Sequence, residues 1–260
     1  MARRRPRRHA VAMCGRYTLT TGDLAGLADR FGAQLPQEGL ERFNVAPTER
    51  IAIVAAHGLH DGRADSSAGA PPSRRALLAR WGLVPSYARE VKGPPLINAR
   101  SESVARRRPF AALVADLSRR CLIPADGFYE WLRPEDGRGA RQPFHFRLVG
   151  GAPFAFAGLW CWSRPGEGAW LASATILTCP PNPLVARLHD RMPVILAGPH
   201  EEAAWLEGDL GAEDLPALCA PLDAQRMDCT LADPAVNRSG GPEGPGLLRA
   251  PAPDRQGTLL

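Results

Sequence analysis

The chain has 260 residues, 45% of them hydrophobic and 23% charged, which is ordinary for a globular protein with one large domain or two small ones. The formal net charge is +5, but five of the 32 basic residues lie in the first twelve, MARRRPRRHAVA, which leaves 27 against 27 acidic residues. The charge of the folded part therefore gives no reason to expect nucleic-acid binding, and any anion site depends on local placement of arginines. No apolar run is long enough to span a membrane, and no apolar segment follows the first arginines, which argues against a secretory signal.

The predicted elements, in chain order, alternate between strands and a few helices. Residues 1–12 are interpreted as a basic extension, either a mis-assigned start or a disordered arm, and 57–75 as a mobile loop. Residues 238–260 are predicted to be a disordered tail. Strands are predicted at 15–20, 51–56, 76–83, 121–124, 128–132, 144–148, 155–162 and 173–178, and helices at 24–31, 110–119 and 201–206. Thr21-Gly22-Asp23 is predicted to cap the first of these helices. The pattern predicts an α+β, β-rich single domain over residues 13–237.

Six cysteines, at positions 14, 121, 161, 179, 219 and 229, have neither C-x-x-C spacing nor the spacing of zinc ligands. This usage is typical of a reducing compartment with buried thiols, so a cytoplasmic protein is expected.

Cys14 follows a second methionine, Met13. If translation begins at Met13, removal of that residue leaves Cys14 with a free α-amine beside its thiol. Such a 1,2-aminothiol condenses with an aldehyde, first as a Schiff base and then through sulfur, and closes a thiazolidine ring. The pKa of an α-amine is about 7.7–8.0, against about 10.4 for lysine, so much of it is nucleophilic near neutrality. If translation begins at Met1, the amine is in a peptide bond and this chemistry is lost.

Five short segments carry most of the recognisable pattern. They are Met13-Cys14-Gly15-Arg16-Tyr17, Arg42-Phe43-Asn44-Val45-Ala46-Pro47, Ile97-Asn98-Ala99-Arg100-Ser101-Glu102, Asp126-Gly127-Phe128-Tyr129-Glu130-Trp131 and His189-Asp190-Arg191-Met192-Pro193. In this order and at this spacing, over roughly residues 14–237, the chain resembles the SRAP domain family, the abasic-site processing proteins also called SOS response-associated peptidases.

The resemblance implies a fold, a reaction and a partner. The fold is a bifurcated, barrel-like mixed sheet with flanking helices. The reaction is a thiazolidine crosslink between the N-terminal cysteine and the aldehyde of an abasic site in single-stranded DNA, in the DNA damage response. It also implies strand-cleaving lyase activity through the α-imine, removal of N-terminal residues as the origin of the peptidase name, no metal or organic cofactor, and association with the nucleoid when the protein is bound to DNA. The sequence gives no hint of an obligate oligomer, so a monomer is expected.

The resemblance assigns a catalytic role to four residues, each with a plainer alternative. Cys14 is the nucleophile, and Glu130 matches the glutamate that opens the sugar ring by general acid and base catalysis. Asn98 matches an amide that holds the sugar hydroxyl or the aldehyde oxygen, and His189 matches a proton relay. From the residues alone, Glu130 reads equally as a solvated strand side chain, Asn98 as a turn or strand-end residue, and His189 as a structural or exposed histidine.

The resemblance also implies DNA contacts of three kinds: phosphate binding, hydrogen bonding and base stacking. The phosphate contacts are Arg16, Arg100 and Arg108, the hydrogen bonds come from Asn44 and Thr178, and a stacking wedge lies at Trp81 and Tyr87. Tyr87 stands where many relatives carry tryptophan. Asn44 has a second possible role, fixing the N-terminus, and Arg106 and Arg107 are expected to form surface ion pairs.

Two other functions fit parts of the pattern. A cysteine hydrolase would use Cys14, His189 and Glu130 as nucleophile, base and orienting group, and would be active with Met1 retained. A non-catalytic module for single-stranded DNA would keep its affinity after Cys14→Ala.

Overall fold

β-Strands account for most of the regular structure in residues 15–57, 74–132, 139–211 and 213–250, which are the residues that this computed structural model describes. The strands are β1 (Tyr17–Leu19), β2 (Arg42–Val45), β3 (Arg50–Ala55), β4 (Arg75–Trp81), β5 (Asn98–Arg100), β6 (Arg120–Ala125), β7 (Gly127–Leu132), β8 (Gln142–Leu148), β9 (Phe154–Ser163), β10 (Leu171–Cys179), β11 (Met192–Pro193), β12 (Ile195–Leu196) and β13 (Met227–Leu231). The helices are α1 (Leu24–Phe31), α2 (Ser101–Val104), α3 (Phe110–Ala115), α4 (Pro199–Glu207) and α5 (Leu215–Leu218).

The larger sheet closes on itself. Its path runs β10, β4, β3, β6 and β9, and β9 then pairs with β10 to complete a five-stranded ring. The β10–β4 pair is parallel, whereas the other pairs of the ring are antiparallel, so the barrel is mixed. The short strands β5, β11 and β12 extend this sheet from β10 and β9.

The second sheet is antiparallel and has the order β13-β8-β7-β1-β2. The chain passes from the barrel into this sheet at Asp126, the residue between β6 and β7. Two sheets therefore diverge from one continuous segment, and helices α3 and α4 pack on the barrel strands β9 and β6. The predicted α+β fold with a bifurcated, barrel-like mixed sheet is confirmed.

The core forms where the two sheets meet. Tyr17 of β1 makes edge contacts with Trp81 of β4 and Phe156 of β9, at ring-centroid distances of 5.4 and 5.7 Å. Trp81 and Phe156 are fully buried. Burying aromatic rings of this size contributes strongly to stability, and edge-to-face geometry adds about 0.5–1.5 kcal/mol per pair. This packing fixes the start of β1, the element nearest the N-terminal motif.

Local signals explain both the predicted and the missed ends of helices. Asp23 caps α1 by accepting a hydrogen bond from the Gly26 N–H at 3.0 Å, as the sequence predicts. The helix predicted over 110–119 ends earlier, because Asp116 caps a separate 3₁₀ turn over Leu117–Arg119 and accepts from the Ser118 N–H at 2.9 Å.

The predicted disordered tail is wrong for residues 238–250, which lie against the second sheet. Leu247 is buried in a small cluster with Tyr129, Ala232 and Val236. The Glu243 carboxylate accepts a hydrogen bond from the Phe43 N–H on β2 at 2.7 Å. We call residues 234–250 the C-terminal segment.

Other predictions fall outside the described residues: the extension at 1–12, most of the loop at 57–75, and the end of the predicted tail, 251–260. In the part of the chain that the structure does describe, no helix is long and apolar enough to cross a membrane.

Candidate functional site

A cavity of about 680 Å³ collects residues from four of the five motifs. Its walls are formed by Gly15, Arg16, Pro47, Glu130, Trp131, Ala140, Arg141, His189, Asn237 and Ser239. Two predicted catalytic side chains, Glu130 and His189, therefore face one space. Cys14 itself lies outside the described residues, but Gly15, to which it is bonded, lines this cavity.

Glu130 is held by strand β7. It pairs in register with Phe144 of β8, and only 2% of the residue is exposed. Its alternative reading as a solvated strand side chain is therefore wrong. A buried carboxyl group that lines a cavity is a suitable general acid or base, because low exposure favours proton exchange with a bound ligand over bulk water.

His189 follows a 3₁₀ turn over Val185–Arg187, with its N–H bonded to the Val185 carbonyl at 3.0 Å, and its side chain is 12% exposed. Its Nδ1 accepts a hydrogen bond from the Arg191 N–H at 3.1 Å, so the neutral ring carries its proton on Nε2. The Asp190 carboxylate lies 3.2 Å from Nδ1 and stabilises the doubly protonated ring. The imidazole thus has a partner in both protonation states, as a proton relay requires.

Two motif residues that the sequence reasoning left without a role hold this histidine in place. Arg191 is 7% exposed, forms a two-point ion pair with Glu102, and donates to the Thr178 carbonyl at 2.6 Å. The Arg191 guanidinium also holds the pKa of Glu102 below its ordinary value. The pair fastens the His189 segment to the β5–α2 segment. The sequence does show an acidic residue in one motif and a basic residue in another. It does not show that Glu102 and Arg191 form an ion pair in the fold.

Asn98 is the first residue of β5 and pairs with Ile176 of β10 in parallel register. It is not among the described residues that line the cavity. The strand leads from Asn98 directly to Arg100 and Glu102, so the amide belongs to the same short segment as the Arg191 ion pair.

Arg16 and Asn44 contact each other and the C-terminal segment. Arg16 Nη1 donates to Asn44 Oδ1 at 2.7 Å and to the Val236 carbonyl at 2.9 Å, and Nη2 donates to Ser239 Oγ at 2.7 Å. Burial lowers the pKa of Arg16, an effect that Glu49 and Tyr129 oppose. Asn44 is 4% exposed. This burial does not favour the predicted DNA contact from Asn44, which stays a prediction, and the contacts that Asn44 makes fit its second predicted role near the N-terminus.

Two more predicted DNA contacts are buried. Trp81 is fully buried in the core, and its indole N–H donates to the Ile97 carbonyl at 3.0 Å, so it presents no ring face for stacking. Thr178 is also fully buried, and its hydroxyl lies 3.4 Å from the Ala99 carbonyl. Their burial does not favour direct DNA contacts from Trp81 and Thr178, which stay predictions. The presence of an aromatic or hydroxyl residue in a motif does not show whether its side chain is exposed or buried in the fold.

Other predicted DNA contacts are accessible. Tyr87 is 68% exposed, and Arg100 and Arg108 are exposed. The ion pairs expected of Arg106 and Arg107 are not formed with any described carboxylate, and Arg106 instead donates to the Glu102 carbonyl at 3.1 Å. The exposed arginines between β5 and α3 thus form a positively charged stretch.

The motif that contains Glu130 also contributes Asp126 to a buried polar network. Thr18 Oγ1 donates to Asp126 Oδ1 at 2.6 Å and lies 3.1 Å from His145 Nε2, so the neutral imidazole donates to the threonine. The ring occupies the space that a side chain on Gly127 would fill, since a Cβ there would lie 2.1 Å from His145 Nε2. The glycine of the motif is thus required by a close approach, which sequence reasoning missed.

The donor set does not suggest a metal centre. Within the described residues, no three His, Cys, Asp or Glu side chains are grouped so that they could hold a metal ion. Burial raises the pKa of the Cys161 thiol to about 11 and that of Cys179 to about 12, so these thiols stay protonated at neutral pH.

A family model described as SOS response associated peptidase (SRAP) matches residues 13–239. The chain is 36% identical over 230 residues to abasic site processing protein YoaM of Bacillus subtilis (strain 168), covering 86% of this chain and 93% of that protein. It is 29% identical over 234 residues to abasic site processing protein HMCES of Mus musculus, covering 78% of this chain and 64% of the relative.

Solved structures share the fold. A protein from Bacteroides thetaiotaomicron superposes with a TM-score of 0.74 at 20% identity, covering 92% of this chain and all of that one (100%). A protein from Bordetella bronchiseptica superposes with a TM-score of 0.65 at 26% identity, covering 85% of this chain and 100% of the other.

Proposed function

The chain belongs to the SOS response associated peptidase (SRAP) family, and from this premise we propose that it processes abasic sites in single-stranded DNA by crosslinking to them through Cys14. Relatives named abasic site processing proteins support this assignment. The observation that carries it is the cavity in which Glu130 and His189 face the residue that follows Cys14.

The chemistry begins with the closed sugar of the abasic site. Glu130 transfers protons between the hydroxyl and the ring oxygen, so that the hemiacetal opens to an aldehyde. The neutral α-amine of Cys14 adds to the aldehyde carbon, and loss of the carbonyl oxygen as water gives an imine. Sulfur then adds to the same carbon while the thiol proton moves to nitrogen, which closes the thiazolidine ring. His189, with a partner for each protonation state, relays protons during imine formation or reversal.

The DNA reaches the cavity along exposed cationic and aromatic side chains. Arg100 and Arg108 bind phosphates, and Tyr87 stacks on a base. The protein acts as a monomer in this proposal. The imine also permits β-elimination, hence strand cleavage, and removal of residues before Cys14 gives the family its peptidase name.

The decisive experiment compares protein that starts at Met13 with protein that starts at Met1. Each is incubated with single-stranded DNA that carries one abasic site, and adducts are separated on a denaturing gel. Mass spectrometry verifies that the first form begins at Cys14, after removal of Met13, and that the second keeps its residues from Met1 or Ala2 onward. We expect an adduct from the Met13 form, and we expect Cys14→Ser to abolish it. An equally strong adduct from an intact Met1 form would refute the mechanism, because its amine is in a peptide bond.

The role of Glu130 is tested in the same assay. Glu130→Gln keeps the shape of the side chain but cannot exchange the proton, so adduct formation should slow by about 100-fold, within the usual range for a general acid or base. Glu130→Ala should slow it at least as much. An unchanged rate in both variants would remove Glu130 from the mechanism.

The same variants separate the two alternatives. A cysteine hydrolase would remain active in the Met1 form and would be inactivated by peptide-like thiol traps. A non-catalytic DNA-binding module would bind single-stranded DNA equally well with Cys14→Ala, and would leave no band that survives denaturation.

A further inference from the structure

The guanidinium of Arg16 is largely occupied inside the protein. Three of the five N–H donors that an arginine carries are directed at Asn44, at the Val236 carbonyl and at Ser239, at 2.7, 2.9 and 2.7 Å. None of the three partners is a carboxylate. The guanidinium is therefore held by hydrogen bonds to neutral groups, which do not neutralise its charge. A phosphate would have to compete with these partners.

The partners of Arg16 are themselves tied together. Asn44 Nδ2 donates to the Arg238 carbonyl at 3.1 Å and to the Val236 carbonyl at 3.4 Å. The backbone of Arg16 is fixed as well, because its carbonyl accepts from the Tyr129 N–H at 3.0 Å. Strand β2, strand β7 and the C-terminal segment therefore all hold this one residue.

The C-terminal segment is anchored independently of Arg16. Val236 and Leu247 are 0% and 4% exposed and pack with Tyr129. The Asn237 side chain accepts from the Trp131 indole at 2.6 Å and donates to the Arg141 carbonyl at 3.1 Å. The segment thus forms a wall of the cavity that is fixed to strand β7 and to the residue that precedes strand β8.

We propose that Arg16 is a positioning residue, through which the C-terminal segment holds the N-terminal aminothiol at the cavity, and that it is not a phosphate ligand. The inference rests on the proposed function. An N-terminal residue has no preceding chain to restrain it, so the first anchored residue after it sets its position. Cα atoms two residues apart are at most about 7.6 Å from each other, so an anchor at Arg16 restricts Cys14 closely. Misplacement of a reacting group by about 1 Å costs about 100-fold in rate.

The experiment measures rate and affinity separately. Crosslinking by the Met13 form is followed under single turnover with increasing excess of abasic single-stranded DNA, which gives a maximal rate and a half-saturating concentration. Non-covalent binding is measured with DNA that carries tetrahydrofuran, an abasic analogue without an aldehyde, at several salt concentrations. The variants are Arg16→Gln, Arg16→Lys and Ser239→Ala, with Arg108→Gln as the matched phosphate-contact control.

Arg16→Gln should lower the maximal rate by about 10-fold or more and leave the affinity for the tetrahydrofuran DNA and its salt dependence unchanged. Arg16→Lys should be similarly slow, because an ammonium keeps the charge but is a compact group, whose donors cannot reach the three partners that the two guanidinium nitrogens contact. Ser239→Ala removes one contact near the surface without threatening the fold, and should lower the rate by about 2- to 3-fold. Arg108→Gln should instead weaken binding.

The opposite pattern overturns the inference. If Arg16→Gln weakens binding, reduces the salt slope by about 0.7 as loss of one phosphate contact would, and Arg16→Lys restores both, then Arg16 is a phosphate ligand. Unchanged rates in Arg16→Gln and Ser239→Ala would likewise overturn it. Absence of any adduct from the unmodified Met13 form would refute the proposed function, and this inference with it.

Discussion

Lowering the pH from 7 to 5 should weaken the folded state through His145. The imidazole is 4% exposed, and burial lowers its pKa from the ordinary 6.5 to about 4. Asp126 raises this pKa and Arg147 lowers it, but desolvation has the largest effect. The folded protein therefore keeps His145 neutral at pH 5, while the unfolded chain binds a proton there.

Proton linkage gives the sign and the magnitude. Between pH 6.5 and about 4 the unfolded state binds more protons, so the free energy of unfolding falls as the pH falls through this window. At about 1.36 kcal/mol per pH unit, the decrease from His145 alone reaches about 2 kcal/mol at pH 5. Above pH 6.5 both states are neutral and the contribution is constant.

Urea unfolding at pH 7 and pH 5, followed by tryptophan fluorescence, measures the effect. His145→Gln offers an amide N–H to Thr18 but does not titrate, so this variant should lose about 2 kcal/mol less than the unmodified protein on acidification. His200→Gln, on an exposed residue, is the matched control and should lose as much as the unmodified protein. Equal losses in His145→Gln and the unmodified protein would refute the reasoning.

Three further predictions concern the site. Gly127→Ala places a Cβ 2.1 Å from His145 Nε2, so the ring must move, and the free energy of unfolding should fall by about 3 kcal/mol in a urea titration. Glu102→Gln leaves Arg191 without its charged partner, so the free energy of unfolding should fall by about 2 kcal/mol and crosslinking should slow. The loss is smaller than for a fully buried pair because the Glu102 side chain is 49% exposed. Arg108→Gln should reduce the salt dependence of single-stranded DNA binding by about 0.7 in log–log slope.

Each of these has a control and a contradicting result. Gly246→Ala is the control for the glycine, because no heavy atom lies within 4 Å of a Cβ there, and equal stability of the two alanine variants would contradict the steric argument. An unchanged crosslinking rate in Glu102→Gln would show that the ion pair does not position His189. An unchanged salt slope in Arg108→Gln would remove this arginine from the phosphate contacts.

Much of the fold could be predicted from the sequence because burial leaves a local pattern. Strands β9 and β10 are long apolar runs, and α1 has its Asp23 cap, so each was predicted within one or two residues. β2 and β13 were missed because RFNV and MDCTL are short and partly polar. Closure of the barrel depends on the pairing of β9 with β10 and on the position of β4, and was expected through the family resemblance.

The candidate site was predicted unevenly for a related reason. The order of the motifs leads to Glu130 and His189, which do meet at the cavity. Partners distant in the chain leave no local pattern, so the Arg191–Glu102 pair and the Arg16–Ser239 contact could not be foreseen. Residues 238–250 were predicted to be disordered because of their glycines and prolines, although a few buried aliphatic side chains suffice to anchor the C-terminal segment.

Strand β10 holds both ends of the loop at residues 84–95. β4 pairs with it at Ser173 and Ala174, and β5 pairs with the same strand from Ile176 to Thr178. A bridge between Leu83 and Leu96 closes the neck of the intervening loop. Insertions or deletions at residues 84–95, which include Tyr87, therefore leave Asn98 in register. The loop can therefore change in length without moving the start of β5, the strand that leads to the Glu102–Arg191 ion pair.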